Sequence, residues 1–300
     1  MNRCIVEIFL ISIFVIFFVQ KSESTTTILP VIDDSDSGLN FADQKYDNSI
    51  EIYADRGFEL SQISKTIIGR VNVKAIRGGV TIKSNKLTAH YREKSYIFNK
   101  HNVDKKNNEI DDVNEIWRVE ADGCVSIVSS SQYAYGDHAD YNIDDAMLIL
   151  TGNNLRFLTK SDIITAKDSL EYWEHNKRAV ARGNATVFHA DKHLQADILI
   201  ADFTKNINDK QLTIKQIHGY NKVIMTTPQE IVIGDRADYD FETDIVTVTG
   251  SVKMTKEENQ INGEYAEINL KTGITIISPN IVNDEKQQRV NALITPKKLN

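Results

Sequence analysis

The chain has 300 residues and a formal net charge of −7, with 42 Asp and Glu against 35 Lys and Arg. An acidic balance of this kind excludes nucleic acid as the natural partner and excludes docking on an anionic membrane through a basic patch. Once Cys4 leaves with the N-terminal segment, Cys124 is a lone, half-buried thiol with no intramolecular disulfide open to it. The fold then rests on hydrogen bonding and apolar burial.

Residues 1–24 carry Arg3, an apolar run from Ile8 to Phe18 and the polar "VQKSES", with Ser22 and Ser24 at the −3 and −1 positions of a cleavage site. The run is shorter than the ~20 residues that cross a bilayer. It reads as a cleaved signal peptide or, alternatively, as a retained N-terminal anchor. Both readings export the rest of the chain. Residues 25–44, with "TTTILPVIDDSDSGLN", read as an extended leader. From 45 to 280 the dominant signal is period-two alternation, as in "IEIYA" (50–54), "RVNVKA" (70–75), "VSIVS" (125–129) and "DIVTVTG" (244–250), separated by polar turns. The charged, Asn-rich insert 99–115 has nothing to bury and reads as a long loop. "DSLEYWEHNKRAVA" (168–181) reads as a strand hairpin, with a helix as the weaker alternative. Residues 281–300 read as a loosely held tail. The class is all-β.

One phrase occurs twice. "GDHADYNIDDAMLILTG" (136–152) and "GDRADYDFETDIVTVTG" (234–250) lie 98 positions apart, and 116–152 aligns with 214–250 without a gap. Gly136, Asp137, Ala139, Asp140, Tyr141, Thr151 and Gly152 meet identical residues at Gly234, Asp235, Ala237, Asp238, Tyr239, Thr249 and Gly250. A period this long, made of several short strands, implies stacked rungs, each burying its neighbour's apolar face. Gly136 and Gly234 sit where a strand bends, and Asp137 and Asp235 are placed to bond nearby backbone amides.

At these residues the sequence resembles the OstA-like, LptA-type family of lipopolysaccharide-transport proteins. The resemblance covers residues 45–280. It implies an open antiparallel β-jellyroll with a slotted, V-shaped sheet, either one elongated unit or two fused end to end. It further implies a periplasmic protein whose apolar slot holds the acyl chains of lipopolysaccharide. Partners would be other Lpt-type jellyrolls, joined by edge-strand pairing along a bridge between inner- and outer-membrane complexes. With the N-terminal segment retained, the chain is similar to the membrane-tethered LptC type. An open sheet leaves unpaired edges, here around Ile50–Ala54 and Ile274–Ile277, which also permit self-association.

Alternation puts Ala139, Tyr141, Leu148 and Leu150 on one face, and Ala237, Tyr239, Val246 and Val248 on the equivalent face of the second copy. These eight are the candidate lipid-binding residues. The residues alone leave a sealed core open as the other reading, and the resemblance makes the face a slot. Lipid A is itself anionic, so apolar contact rather than bulk charge is expected to hold it.

No catalytic residue, metal or cofactor is assigned. "HADKH" (189–193) spaces two histidines by four, which is ligand spacing only on a helix, and a solvated turn is the expectation. Carboxylates are scattered through every turn, and Cys124 has no visible base. Trp117 and Trp173 are expected to pack or cap the sheet. The alternatives to a lipid carrier are a sealed scaffold, a protein-binding adaptor and a carbohydrate-active solenoid, the last needing a carboxylate cluster that is not evident.

Overall fold

The alternating segments form strands in the structure, a computed structural model that describes residues 50–77, 79–93, 114–129, 132–205, 212–279 and 289–295. All lie within the unit Ser35–Asn300. In chain order the strands are β1 (Glu51–Tyr53), β2 (Phe58–Ser61), β3 (Thr66–Arg77), β4 (Val80–Glu93), β5 (Asn114–Val128), β6 (Tyr133–Asn142), β7 (Met147–Thr151), β8 (Leu155–Leu158) and β9 (Asp162–Ala166). They continue as β10 (Ser169–Trp173), β11 (Arg178–His189), β12 (Lys192–Lys205), β13 (Leu212–Thr226), β14 (Ile231–Asp240), β15 (Ile245–Lys256), β16 (Asn259–Asn269), β17 (Ile274–Ser278) and β18 (Asn291–Leu293). Among the described residues there is no helix, so 168–181 is the hairpin β10–β11. The expected signal segment and leader lie outside the described residues, as do most of the insert and tail.

All strands join one antiparallel sheet. Each long strand pairs with the next in sequence, and each is interrupted near its middle. Along β3, β5, β11, β13 and β15 the interruption is a pair of left-handed residues: Val71–Asn72, Gly123–Cys124, Gly183–Asn184, Asn221–Lys222 and Gly250–Ser251. The neighbouring strand carries one residue fewer at that point, the arrangement of a β-bulge. A bulge adds twist and bends the strand, and a row of them across a sheet makes a crease.

The crease shifts the phase of alternation. In β14, Val232 and Gly234 are buried on one side of it and Ala237 on the other. The inward set therefore moves from even to odd numbers, and both halves of the strand bury the same face. The result is two leaves facing one interior. One leaf runs β2-β3-β4-β5-β6-β7-β10-β11-β12-β13-β14-β15-β16-β17, and the other runs β1-β3-β4-β5-β6-β8-β9-β11-β12-β13-β14-β15-β16-β18. This is the expected antiparallel jellyroll. Hydrogen bonding continues through β7–β10 and β9–β11, so no gap in the ladder divides the sheet.

The seventeen-residue phrase is one crossing of this crease and the return. Asp137 stands on the short side of the bulge, and its carboxylate accepts from Asn153 N at 2.8 Å and Asn153 Nδ2 at 2.9 Å. Its side chain fills the space that a Cβ on Gly152 (φ 111°) would need. Asp235 lies against Gly250 (φ 81°) in the same way. β5 and β13 span 15 residues each and β6 and β14 span 10 each, with starts 98 positions apart (114 to 212, 133 to 231). The pairs Asp122↔His138 and Tyr220↔Arg236 keep that same offset.

Three expectations are corrected. Asn114 and Glu115, placed in the insert, open β5, because their strand continues the ladder to Arg92 and Glu93. Asn291–Leu293, placed in the tail, is β18, whose Ala292 pairs with Ile261 of β16. Cys124 is exposed at the crease rather than half-buried, and no cysteine among the described residues is free. The lone-thiol reading had depended on Cys4 being removed. The edges fall where expected, at β1 and β17, but the two-leaf topology gives each end a second edge, β2 and β18.

Candidate binding slot

Inward alternation carries the eight candidate residues into the space between the leaves. Ala139, Tyr141, Leu148, Leu150, Ala237, Val246 and Val248 are buried. Tyr239 is half-buried, its ring stacked near Phe241 at 4.0 Å between centroids. Between the leaves lies a cavity of about 440 Å³. Leu148, Leu150, Leu170 and Leu199 line it from one leaf, and Ala134, Phe157, Ile164 and Val187 from the other. A second cavity, about 30 Å³, is lined by Tyr141 with Val80, Ile82 and Val119. Leu148, Leu150 and Tyr141 thus line open space. Ala139 and the four residues of the second copy do not line either cavity. Phe157, Val187 and Leu199 were not singled out from sequence. The alternation of Val187 and Leu199 was visible in "ATVFH" (185–189) and "LQADILIADF" (194–203), but the crease that sets Phe157 and Val187 opposite Leu148 was not.

The large cavity reaches the tips of both leaves. On one side is the β8–β9 turn. There the buried Asp162 accepts from Ser161 Oγ at 2.6 Å and Thr159 Oγ1 at 2.9 Å, and pairs with His189 Nδ1 at 2.6 Å. On the other are Phe203, Thr213 and Phe241. The tips are electrostatically close. Burial pushes the Tyr239 hydroxyl well above its ordinary range, Asp244 adds to this through a 3.0 Å hydrogen bond, and Asp162 contributes from the opposite leaf. Burial likewise raises Tyr141 and Tyr172, with Glu174 reinforcing both. These phenols stay neutral, with Tyr141 donating to Glu174 and Tyr239 to Asp244.

The outward face is polar. Arg118 grips Asp140 through Nε at 2.8 Å and Nη2 at 2.6 Å, and Arg178 grips Asp202 at 2.6 and 3.1 Å. Hydrogen bonding from Arg178 holds the Asp202 carboxyl below its usual range. Asp238 is opposed by burial, but Arg236 and His218 outweigh it and lower its pKa too. Exposed pairs of this kind add little stability each. They do fix which face meets water. Asp140 and Asp238, next to the slot residues in sequence, point away from it.

The "HADKH" histidines straddle a turn at Ala190 (φ 52°). His189 engages Asp162 while His193 packs on Phe188, 5.5 Å between ring centroids. Among the described residues no group of three or more His, Cys, Asp or Glu is arranged to hold a metal. Trp117 packs against His90, ring centroids 5.9 Å apart.

A family model described as "LptA/(LptD N-terminal domain) LPS transport protein" matches the chain twice, over residues 51–168 and 164–274. The chain belongs to this LPS transport family. It therefore carries two consecutive family segments, meeting at β9. The family binds and transports rather than catalyses, and its members are periplasmic LPS transport proteins. Among solved structures, the chain is similar to LptH, the LptA homologous periplasmic component of the conserved lipopolysaccharide transport device from Pseudomonas aeruginosa. That likeness has 17% identity and a TM-score of 0.39, covering 45% of this chain and 95% of LptH. No curated protein matches. Among the described residues no helix is long and apolar enough to cross a membrane.

Proposed function

We propose that this family member binds lipopolysaccharide through its acyl chains between the two leaves and passes it through the periplasm toward the outer membrane. The observation that carries the reading is the apolar cavity between the leaves, lined by Leu148, Leu150, Leu199, Phe157 and Val187. Each methylene withdrawn from water into such a space contributes ~0.8 kcal/mol, so a buried chain of about twelve carbons contributes about 10 kcal/mol against the cost of association. No chemical step is needed, and direction comes from an energy source elsewhere. The edges β1, β2, β17 and β18 are the surfaces for pairing with other Lpt-type jellyrolls or with a second copy. The N-terminal segment, cleaved or retained, decides whether the chain is released or tethered at the inner membrane.

A photo-crosslinker at Leu148 is expected to capture lipopolysaccharide, and one at the outward Asp140 is not. A sealed scaffold is the second reading. It is favoured by the closed packing of Ala237, Val246 and Val248, each 0% exposed. Capture at neither Leu148 nor Val248, or equal capture at Leu148 and Asp140, would leave the scaffold as the better account.

A further inference from the structure

One charged group lining the large cavity has no partner among the described residues. Four ionisable side chains of opposite sign contribute to it: Lys160, Asp162, Glu171 and His189. Both carboxylates are engaged. Glu171 Oε1 accepts from Arg182 Nε at 2.7 Å and from Ser169 Oγ at 3.0 Å. Asp162 is held by Ser161, Thr159 and His189. Lys160 has no carboxylate partner among the described residues. It projects from the β8–β9 turn, at the tip of one leaf, where the apolar lining gives way to hydroxyl and amide groups at Thr159, Ser161 and Gln132. The residues that line the cavity at the rim of the other leaf, Phe203, Thr213 and Phe241, include no anion. An apolar cavity whose one charged lining group without a hydrogen-bond partner is a cation at the mouth matches an amphiphile with an anionic end.

The second copy lacks this arrangement. The turn between β15 and β16 that corresponds to β8–β9 carries Glu257 and Glu258 where the first carries Lys160, and no residue of that turn lines a cavity. The cation is therefore a property of the junction between the two family segments, not of the repeated rung.

We infer that Lys160, supported by Gln132, seats an anionic oxygen group, phosphate or carboxylate, on the head of the amphiphile whose apolar chains fill the cavity. This rests on the lipid-binding reading above and adds to it a polarity for the bound molecule: head at the β8–β9 tip, chains toward the crease. Asp162 serves as the anchor of this tip. Its three partners hold the turn in place and occupy its oxygens, so that it does not pair with Lys160.

The test uses the full chain and two single-chain probes of equal length below their micelle concentrations, dodecyl phosphate and dodecyl maltoside, with binding followed by calorimetry. Wild type is expected to favour the phosphate probe about three- to fivefold, the scale of one partly exposed ion pair. Lys160→Gln should bring that ratio to about one, while Lys167→Gln, an exposed lysine at the crease that does not line the cavity, should leave it alone. Ala201→Phe, which fills the cavity, should weaken both probes together. Inorganic phosphate at millimolar concentration should displace neither; displacement would mean an ion site independent of lipid and would overturn the inference. A wild-type ratio of one, or an unchanged ratio in Lys160→Gln, would also overturn it while sparing the lipid-binding reading. Failure of wild type to bind either probe would sink both.

Discussion

Replacing Gly250 by alanine tests the crease directly. Gly250 has φ 81°, and a Cβ placed there would lie 2.8 Å from the Cβ of Asp235, with the Asp235 carboxylate nearer still. Two costs follow. Holding a non-glycine residue in the left-handed region costs about 1–2 kcal/mol, and forcing a side chain into occupied space costs about 1–3 kcal/mol more. Gly273 separates them. It too is left-handed, at φ 69°, but nothing lies within 4 Å of its would-be Cβ. Gly273→Ala should therefore lose only about 1–2 kcal/mol, and Gly250→Ala about 2–5 kcal/mol in total. Urea unfolding followed by far-ultraviolet circular dichroism measures both. In an Asp235→Gly background the extra cost at position 250 should vanish, giving a coupling energy of about 1–3 kcal/mol. Equal losses for Gly250→Ala and Gly273→Ala, or no coupling to Asp235, would refute the account of the phrase as a bulge packed against its own acid.

Three further outcomes follow. Leu148→Asp, 1% exposed in wild type but facing the cavity, should abolish lipopolysaccharide binding while circular dichroism keeps its β signal; Val246→Asp, also buried but lining no cavity, should unfold the chain. The Asp240 carboxyl, bonded first by Gln216 and then by the Thr243 and Glu242 amides, titrates at about 2 rather than 3.8. A depressed pKa stabilises above the unfolded value, so this contribution should be lost as pH falls from 3.8 through about 2, and Gln216→Ala should move the carbon-detected titration upward. Removing 273–300 deletes β17 and β18, the edges at one end of both leaves, and should abolish concentration-dependent oligomers seen by light scattering; an unchanged mass series would count against edge pairing.

The strands were legible because alternation is a local signal. "DIVTVTG" announces Val246 and Val248 as inward residues without any help from the rest of the chain. The crease was legible only at Gly136 and Gly234; Gly123, Gly183 and Gly250, each the first of a left-handed pair, were not singled out as bends. At Val71–Asn72 and Asn221–Lys222 the left-handed pair contains no glycine, so nothing in the sequence distinguishes it from ordinary strand. β18 escaped notice because three residues are too few to show a period. The position of the cavity was the least legible of all. Leu148 and Leu150 repeat the pattern of Val246 and Val248, yet only the first pair borders open space. The difference lies in what stands across the slot, Phe157 and Val187 in one case, and alternation in one strand carries no information about the opposing leaf.

The order in which the strands pair has a kinetic consequence. Each long strand bonds to the next in sequence, and the exceptions, such as β7 with β10 and β9 with β11, skip only a short hairpin. Among the described residues no pairing joins β1 or β2 to β17 or β18. Apart from the segment between β4 and β5 and that before β18, the loops closed are short, and a growing sheet gains one ladder at a time. Folding can start at any well-formed hairpin and zip outward in both directions, as in a linear array of repeats. A nascent chain emerging with β3 to β6 already has partners for those strands, so the exposed edges during synthesis or export are the first strands and the most recent one.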